Sequence, residues 1–278
     1  MTFSIRLNPF NPCMKSVFYS SFMNFSLVPS SPEHWTTFAW ILAALAAFGV
    51  GLSKTGFNGV GIAYVLIMAN IMGARASTGF VLPLLLFADF FAVFLFRRHA
   101  DWSHIRRLVP TTMIGIVAGY FIMQHISDAA YKPFMGWFVL VLSGLQWLRG
   151  QRESWFAHLL HNPVWSNSMG LGCGVATMLA NGSGPIATLY LLVSGLPKME
   201  FVGTGAWFFF LMNWFKVPFS WHMGLINLDS LKWNLWLFPA VALGIFAGKW
   251  LLARVSQQLF ETLLLWFSVL AALRLIFS

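Results

Sequence analysis

Acidic side chains are scarce in this sequence: eight aspartates and glutamates stand among 278 residues, and charged residues of both signs make up only 9%. A soluble domain covers its surface with far more charge. With 58% hydrophobic residues and a mean hydropathy of +0.72, the chain has more apolar surface than one water-surrounded core can hide. Stretches of about 20 apolar residues match the hydrocarbon thickness of a bilayer instead. The composition excludes a soluble protein and describes a polytopic membrane protein. Cysteine is equally scarce. Cys13 and Cys173, the two present, are too few and too isolated for a disulfide framework or a metal site. They read as a tail thiol and a small packing residue, and no residue pattern calls for a cofactor.

The first 34 residues lack a continuous apolar stretch followed by a small-residue cleavage site, so no signal peptide is read there. This segment, rich in Asn, Ser, Pro and scattered Phe, reads as a poorly ordered tail or an over-long start. Asn24 and Asn181 each open a short glycosylation pattern, and the second lies at membrane depth. The formal charge of +9 comes from cations in short loops between apolar runs. There they act as orientation signals and meet anionic headgroups, which argues against a nucleic-acid partner.

Apolar runs, charges and Pro/Gly punctuation predict an all-α protein of ten segments: 35–52, 60–73, 76–96, 106–126, 131–148, 163–180, 185–196, 201–220, 233–253 and 258–277. The second and seventh are too short to span comfortably. They are expected to be half-helices or the return arms of re-entrant hairpins, which leaves between six and ten crossings. Each follows a polar, glycine-rich break. The first break is Gly51-Leu-Ser-Lys-Thr-Gly-Phe-Asn-Gly-Val-Gly61 and the second is Ala180-Asn-Gly-Ser-Gly-Pro185. In lipid, unpaired backbone groups cost several kcal/mol each, so unwound segments at depth survive only where protein or water covers them. Paired interruptions in two halves point to a transporter's substrate site.

The halves repeat. Val109-Pro-Thr-Thr-Met-Ile-Gly-Ile-Val-Ala-Gly119 aligns with Phe238-Pro-Ala-Val-Ala-Leu-Gly-Ile-Phe-Ala-Gly248, sharing Pro, Gly-Ile and Ala-Gly in register. Ser77-Thr-Gly79 matches Gly203-Thr-Gly205, and Gly59/Gly61 match Gly182/Gly184. Residues 35–150 and 151–278 are therefore expected to form two membrane repeats of one integral domain. Each repeat has five segments, or three if its hairpin does not cross. An odd number forces inverted topology either way.

Few residues at depth carry chemistry. Lys54, within the first break, is either an anion ligand aided by backbone N–H groups at the start of the next half-helix, or a lysine snorkelling to the interface. Thr55, Asn58, Gly59 and Gly61 surround it, and a headgroup lysine has no need of them. Asp89 is the one acid well inside an expected span. It reads as a proton-coupling or gating group, or as half of a structural ion pair with Lys216 or Arg75. Asn181, Gly182, Ser183 and Gly184 offer small polar side chains and closely approachable backbone, with Pro185 opening the next half-helix. Thr204 and Asn213 are candidate ligands or interhelical glue. The histidines at 99, 104, 158 and 161 fall in loops and read as solvated or headgroup-facing. Trp35, Trp155, Trp221 and Trp233 read as interface anchors.

With these residues laid out, the sequence resembles the TauE/SafE sulfite-exporter family of bacterial membrane proteins. The likeness is carried by the first break, by Gly73-Ala-Arg-Ala-Ser-Thr-Gly-Phe-Val-Leu-Pro83 leading to Asp89, and by the Arg97–Trp102 loop. In the second half it is carried by Asn181-Gly-Ser-Gly-Pro185, Val202-Gly-Thr204 and Asn213 to Lys216. The resemblance implies a multi-pass permease of the bacterial inner membrane for small anions such as sulfite or sulfonates. Many members have a triple-glycine run at the first break. Here Lys-Thr-Gly-Phe-Asn-Gly replaces it, as in a lysine-bearing subset.

Two other classes compete with a secondary transporter of small anions. A membrane-embedded thiol redox carrier would need thiols in both halves, and the positions around Phe48 that correspond to Cys173 hold none. An assembly subunit would leave Lys54 and Asp89 without purpose.

Orientation follows from charge. The loop Arg97–Arg107 carries four arginines, and its face totals nine cations (with Arg149, Arg152, Lys198, Lys249 and Arg254) against six on the other. This loop is expected to be cytoplasmic and both termini outside. A membrane-impermeant thiol reagent added outside should label a cysteine placed at Ser278 and spare one at Ser103; the opposite pattern would reverse the orientation.

Overall fold

A computed structural model describes residues 32–254 except 56, 58–59, 128–129, 132, 135, 139, 142–143, 145–162 and 253. The described residues form eight principal α-helices: α1 (Thr37–Ser53), α2 (Val60–Met72), α3 (Ala74–Phe96), α4 (Trp102–His125), α5 (Pro163–Ala180), α6 (Gly184–Val193), α7 (Lys198–His222) and α8 (Leu228–Leu252). No strand occurs among them. Further helical residues lie between 130 and 144. The expected segment 258–277 and the tail before residue 32 fall outside the described residues. Short 3-10 turns precede α1 and join α3 to the loop before α4.

The all-helical outcome is what a low-dielectric surrounding demands, since a helix satisfies its backbone groups within itself. Ala74–His99, Trp102–His125 and Leu228–Leu251 are long and apolar enough to cross a membrane by length and composition. Large apolar side chains such as Phe94, Ile114, Trp236, Leu243 and Phe246 face outward. In water such a surface would be a liability, whereas in lipid it needs no cover. The expected short segments are short: α2 has 13 residues and α6 has 10. At 1.5 Å per residue they reach only about 20 and 15 Å.

Small residues decide how the helices cross. On α1 the buried positions Ala39, Ala43, Ala46, Ala47 and Val50 make a narrow stripe that lets α8 approach. A Cβ built on Gly51 would lie 2.8 Å from Ile245 N, and one on Gly244 would lie 2.9 Å from Phe48 C. The pair α4 and α5 meets in the same way: a Cβ on Gly174 would lie 2.6 Å from Gly115 Cα, and one on Gly115 2.9 Å from Gly174 Cα. Without a hydrophobic force between helices in lipid, such close backbone packing supplies the association energy. Helix α3 lies innermost, its face from Ser77 to Leu85 almost wholly buried against α2, α7 and α8.

Two expectations about surface residues are corrected. Trp35 is not an interface anchor: it is buried, with its ring 5.0 Å from that of Trp40 and 5.7 Å from that of Phe80. His104 is not solvated in a loop. It sits in the first turn of α4, its Nδ1 3.1 Å from the Tyr190 hydroxyl and 3.4 Å from Ser194 Oγ.

The crossings yield a stability test. Gly174→Ala should lower the melting temperature in detergent, because its methyl group meets backbone and overpacking costs about 1–3 kcal/mol. Gly172→Ala on the same helix, where the nearest atom is Ile186 Cδ1 at 3.7 Å, should be neutral or mildly stabilising. Equal loss in both would mean that the crossing is not what these glycines serve.

Candidate functional site

Both breaks end a helix with its last carbonyls accounted for. At the first, α1 stops at Ser53, and Lys54 N–H and Thr55 N–H bond Gly51 O and Leu52 O. The hydroxyls of Ser53 and Thr55 donate to Val50 O and Leu52 O, each at 2.8 Å. At the second, α5 stops at Ala180, and Asn181 turns the chain with a left-handed φ of 50°. Asparagine is among the few residue types that tolerate this conformation. Its N–H bonds Thr177 O at 3.1 Å, and α6 starts three residues on.

Between the breaks stand three charged groups. Lys54 Nζ lies 2.7 Å from Asp89 Oδ1, and Asn213 Nδ2 donates to Asp89 Oδ2 at 2.6 Å. Lys216 Nζ donates to Thr177 O at 3.0 Å and to Asn181 Oδ1, while Asn181 Nδ2 donates to Thr78 O at 3.0 Å. Two of these contacts, Lys54 with Asp89 and Lys216 with Asn181, join a break to the long helix of its own half, and both span 35 residues of sequence. In the first half the break brings the cation and the helix the acid. In the second the break brings an amide and the helix the cation.

The depth of this cluster follows from helix geometry. Near one end of α3, Gly79 packs on Leu225; just past the other end, His99 packs on Gly203. Asp89 is ten residues from both Gly79 and His99, hence about 15 Å from each. That puts it midway along the helix between these two packing points, whose separation of about 30 Å matches the thickness of a hydrocarbon layer. Asp89 and Lys216 are essentially without solvent contact. Moving an ion there costs several kcal/mol, and a partner at bonding distance offsets the cost.

A small hollow opens beside the cluster. Lys54, Gly61, Tyr64, Asn181, Gly182, Ser183, Gly184, Phe209 and Asn213 line it, with Ser53, Leu85, Thr177 and Pro185. The first turn of α6 borders it, and the N–H groups at a helix start have no partner within the helix and favour negative charge. The Lys54 ammonium also lies 4.6 Å from the centroid of the Phe209 ring.

The expected site residues divide. Lys54, Gly61, Asn181, Gly182, Ser183, Gly184 and Asn213 come together at the hollow, with Asp89 and Lys216 bonded directly behind its wall. Asn58 and Gly59 lie outside the described residues. Thr55 is buried in its cap and Thr204 Oγ1 accepts the Asp101 N–H at 2.8 Å, so neither reaches the hollow. Arg75 donates to Ile126 O and lies over the Tyr131 ring, fourteen residues from Asp89 on α3. The expected partner of Asp89 is thereby corrected: it is Lys54, not Lys216 or Arg75. The pairing was hidden because the break folds back on the third segment, a contact that linear spacing does not report. Sequence reading missed Phe209, Tyr64 and Leu85; among 29 phenylalanines nothing distinguished Phe209. Thr177 had a signal, since it stands one helical turn before Asn181.

Apolar crossing helices, two short helices after paired breaks and a charged hollow at mid-depth define a multi-pass membrane protein built around an internal polar site. The family profile described as Sulfite exporter TauE/SafE matches residues 41–275, and the chain belongs to that family, whose members are membrane transporters of the sulfite and sulfonate type. No curated protein and no solved structure matches the chain.

Asp89→Asn should leave Lys54 a buried, uncompensated cation and cost about 3–5 kcal/mol, read as a lower folded yield. Adding Lys54→Gln should restore the yield, whereas adding Arg75→Gln should not. Rescue by Arg75→Gln alone would mean that the Lys54 pair does not carry the stability.

Proposed function

We propose that the chain is a secondary transporter whose substrate is a small anion held in the mid-depth hollow between the two breaks. The observation that carries this reading is the residue count: two lysines stand against one aspartate in a buried cluster, a formal excess of one positive charge. A bound monoanion neutralises it. Lys54 supplies charge at the wall, and Asn181, Ser183 and Asn213 supply hydrogen bonds. The start of α6 adds backbone donors of the kind that hold oxyanions. Sulfite in its singly charged form, a sulfonate or a small carboxylate meets this description.

Inverted repeats fit the same reading. The crossings of α1 with α8 and of α4 with α5 use glycines at places that correspond in the repeat alignment, which supports an inverted-repeat arrangement. The reading takes the inner membrane as the location, with the Arg97–Arg107 loop in the cytoplasm and the termini outside. Asp89 is the coupling acid in this scheme: while Lys54 pairs with it, the lysine is occupied, and a proton on Asp89 frees Lys54 for the anion.

Binding and uptake in proteoliposomes against sulfite, thiosulfate, sulfoacetate, taurine and carboxylates test the class. Lys216→Gln removes the formal excess charge from behind the wall and should weaken anion binding by about tenfold, the effect of a nearby unit charge worth ~1–2 kcal/mol without a direct bond. Unchanged affinity in the folded variant would sink the charge argument. Reconstituted Asp89→Asn protein should exchange substrate yet fail to accumulate it under a pH gradient; accumulation would end the coupling role of Asp89.

A further inference from the structure

A second small hollow lies on the far side of Lys54 and Phe209, and these two residues, with Ser53, line both spaces. Its other walls include Thr188, Val202 and Gly205. Val202 and Gly205 flank Gly203, whose backbone packs on His99 of the arginine-bearing loop, and Thr204 holds the N–H of Asp101 in that loop. Phe209 is six residues further along α7, about 9 Å deeper at helical rise. The second hollow therefore occupies the depth between the central site and the arginine loop. Thr188, buried on α6, has no hydrogen-bond partner for its hydroxyl among the described residues. An orphaned buried hydroxyl is costly unless something visits it.

We propose that the second hollow is the passage between the central site and the Arg97–Arg107 face, that the Phe209 ring is its gate, and that the Thr188 hydroxyl is a transient ligand for the passing anion. The ring is held shut by its contact with the Lys54 ammonium. An anion drawing Lys54 toward itself weakens that contact and frees the ring, so the substrate opens its own way out. This mechanism rests on the anion-transport reading above, whereas the gate itself is a matter of geometry and is tested without any substrate.

The test uses reconstituted protein in a Cys13→Ser, Cys173→Ala background with membrane-impermeant thiol reagents applied at the arginine-loop face. Thr188→Cys should react from that face with Phe209 intact. Leu85→Cys, which lines the central hollow alone, should react slowly from that face and faster once Phe209 is replaced by Ala or Leu. The gain should be about two- to thirtyfold, the range that loss of one cation–π contact allows. Phe209→Trp should keep Leu85→Cys slow. Inertness of Thr188→Cys from that face, or an unchanged Leu85→Cys rate in folded Phe209→Ala and Phe209→Leu proteins, would overturn the gate. Anionic and cationic reagents of equal size separate the two ideas. A cationic preference at Thr188→Cys contradicts the anion reading, while the dependence on Phe209 reports the gate alone.

Discussion

The contact between Lys54 and Asp89 constrains everything around it. A lysine and an aspartate buried within an apolar helix bundle are each too costly to hold alone, and direct pairing makes their presence tolerable. That pairing needs the chain to leave helical geometry at Ser53, so that Lys54 turns into the protein interior. The break is therefore not a weakness in α1 but the means of delivering a charge. The hydroxyls of Ser53 and Thr55 then cover carbonyls that the interrupted helix would expose. Asn213 completes the carboxylate from the other half, so that α3 and α7 are tied at the level where the breaks meet.

The second half solves the same problem with different chemistry. Asn181 takes the place of Lys54 and Lys216 the place of Asp89, at the same separation of 35 residues. Lys216 has neutral partners, a carbonyl at the end of α5 and the oxygen of an amide. The negative end of α5 accommodates a cation there at modest energy. The formal charge excess thus comes from two exchanges of residue type, Asn181 for Lys54 and Lys216 for Asp89, between otherwise parallel arrangements. In the proposed function that excess is what an anion answers. Cys173, fully enclosed beneath Ser183, is a packing residue in this arrangement.

Much of the fold was legible beforehand, and for identifiable reasons. A helix in lipid announces itself by apolar length, so α1, α3, α4 and α8 were expected close to their observed bounds. The breaks were legible because polar and glycine-rich residues have no other reason to stand between apolar runs. Lys54, Asn181 and Asp89 were conspicuous because an ionisable or amide group at that depth is rare. The partner of Asp89 was not legible. Arg75 and Lys216 stood nearer to it in a linear or repeat-aligned view, and the folding back of the break lies outside both views. Trp35 and His104 misled for a related reason: position near a segment end suggests an interface, but neighbouring helices covered both.

The sequence by itself determined the solvent, the helical class, the two breaks and the scarcity of charge at depth. These are properties of composition and local order, and a bilayer translates them into structure almost one to one. Tertiary structure alone decided which charges meet, which glycines are crossing points, and which of many aromatic rings stands beside Lys54. Those outcomes depend on distances between helices far apart in the chain, and such distances arise only when small residues let particular backbones touch.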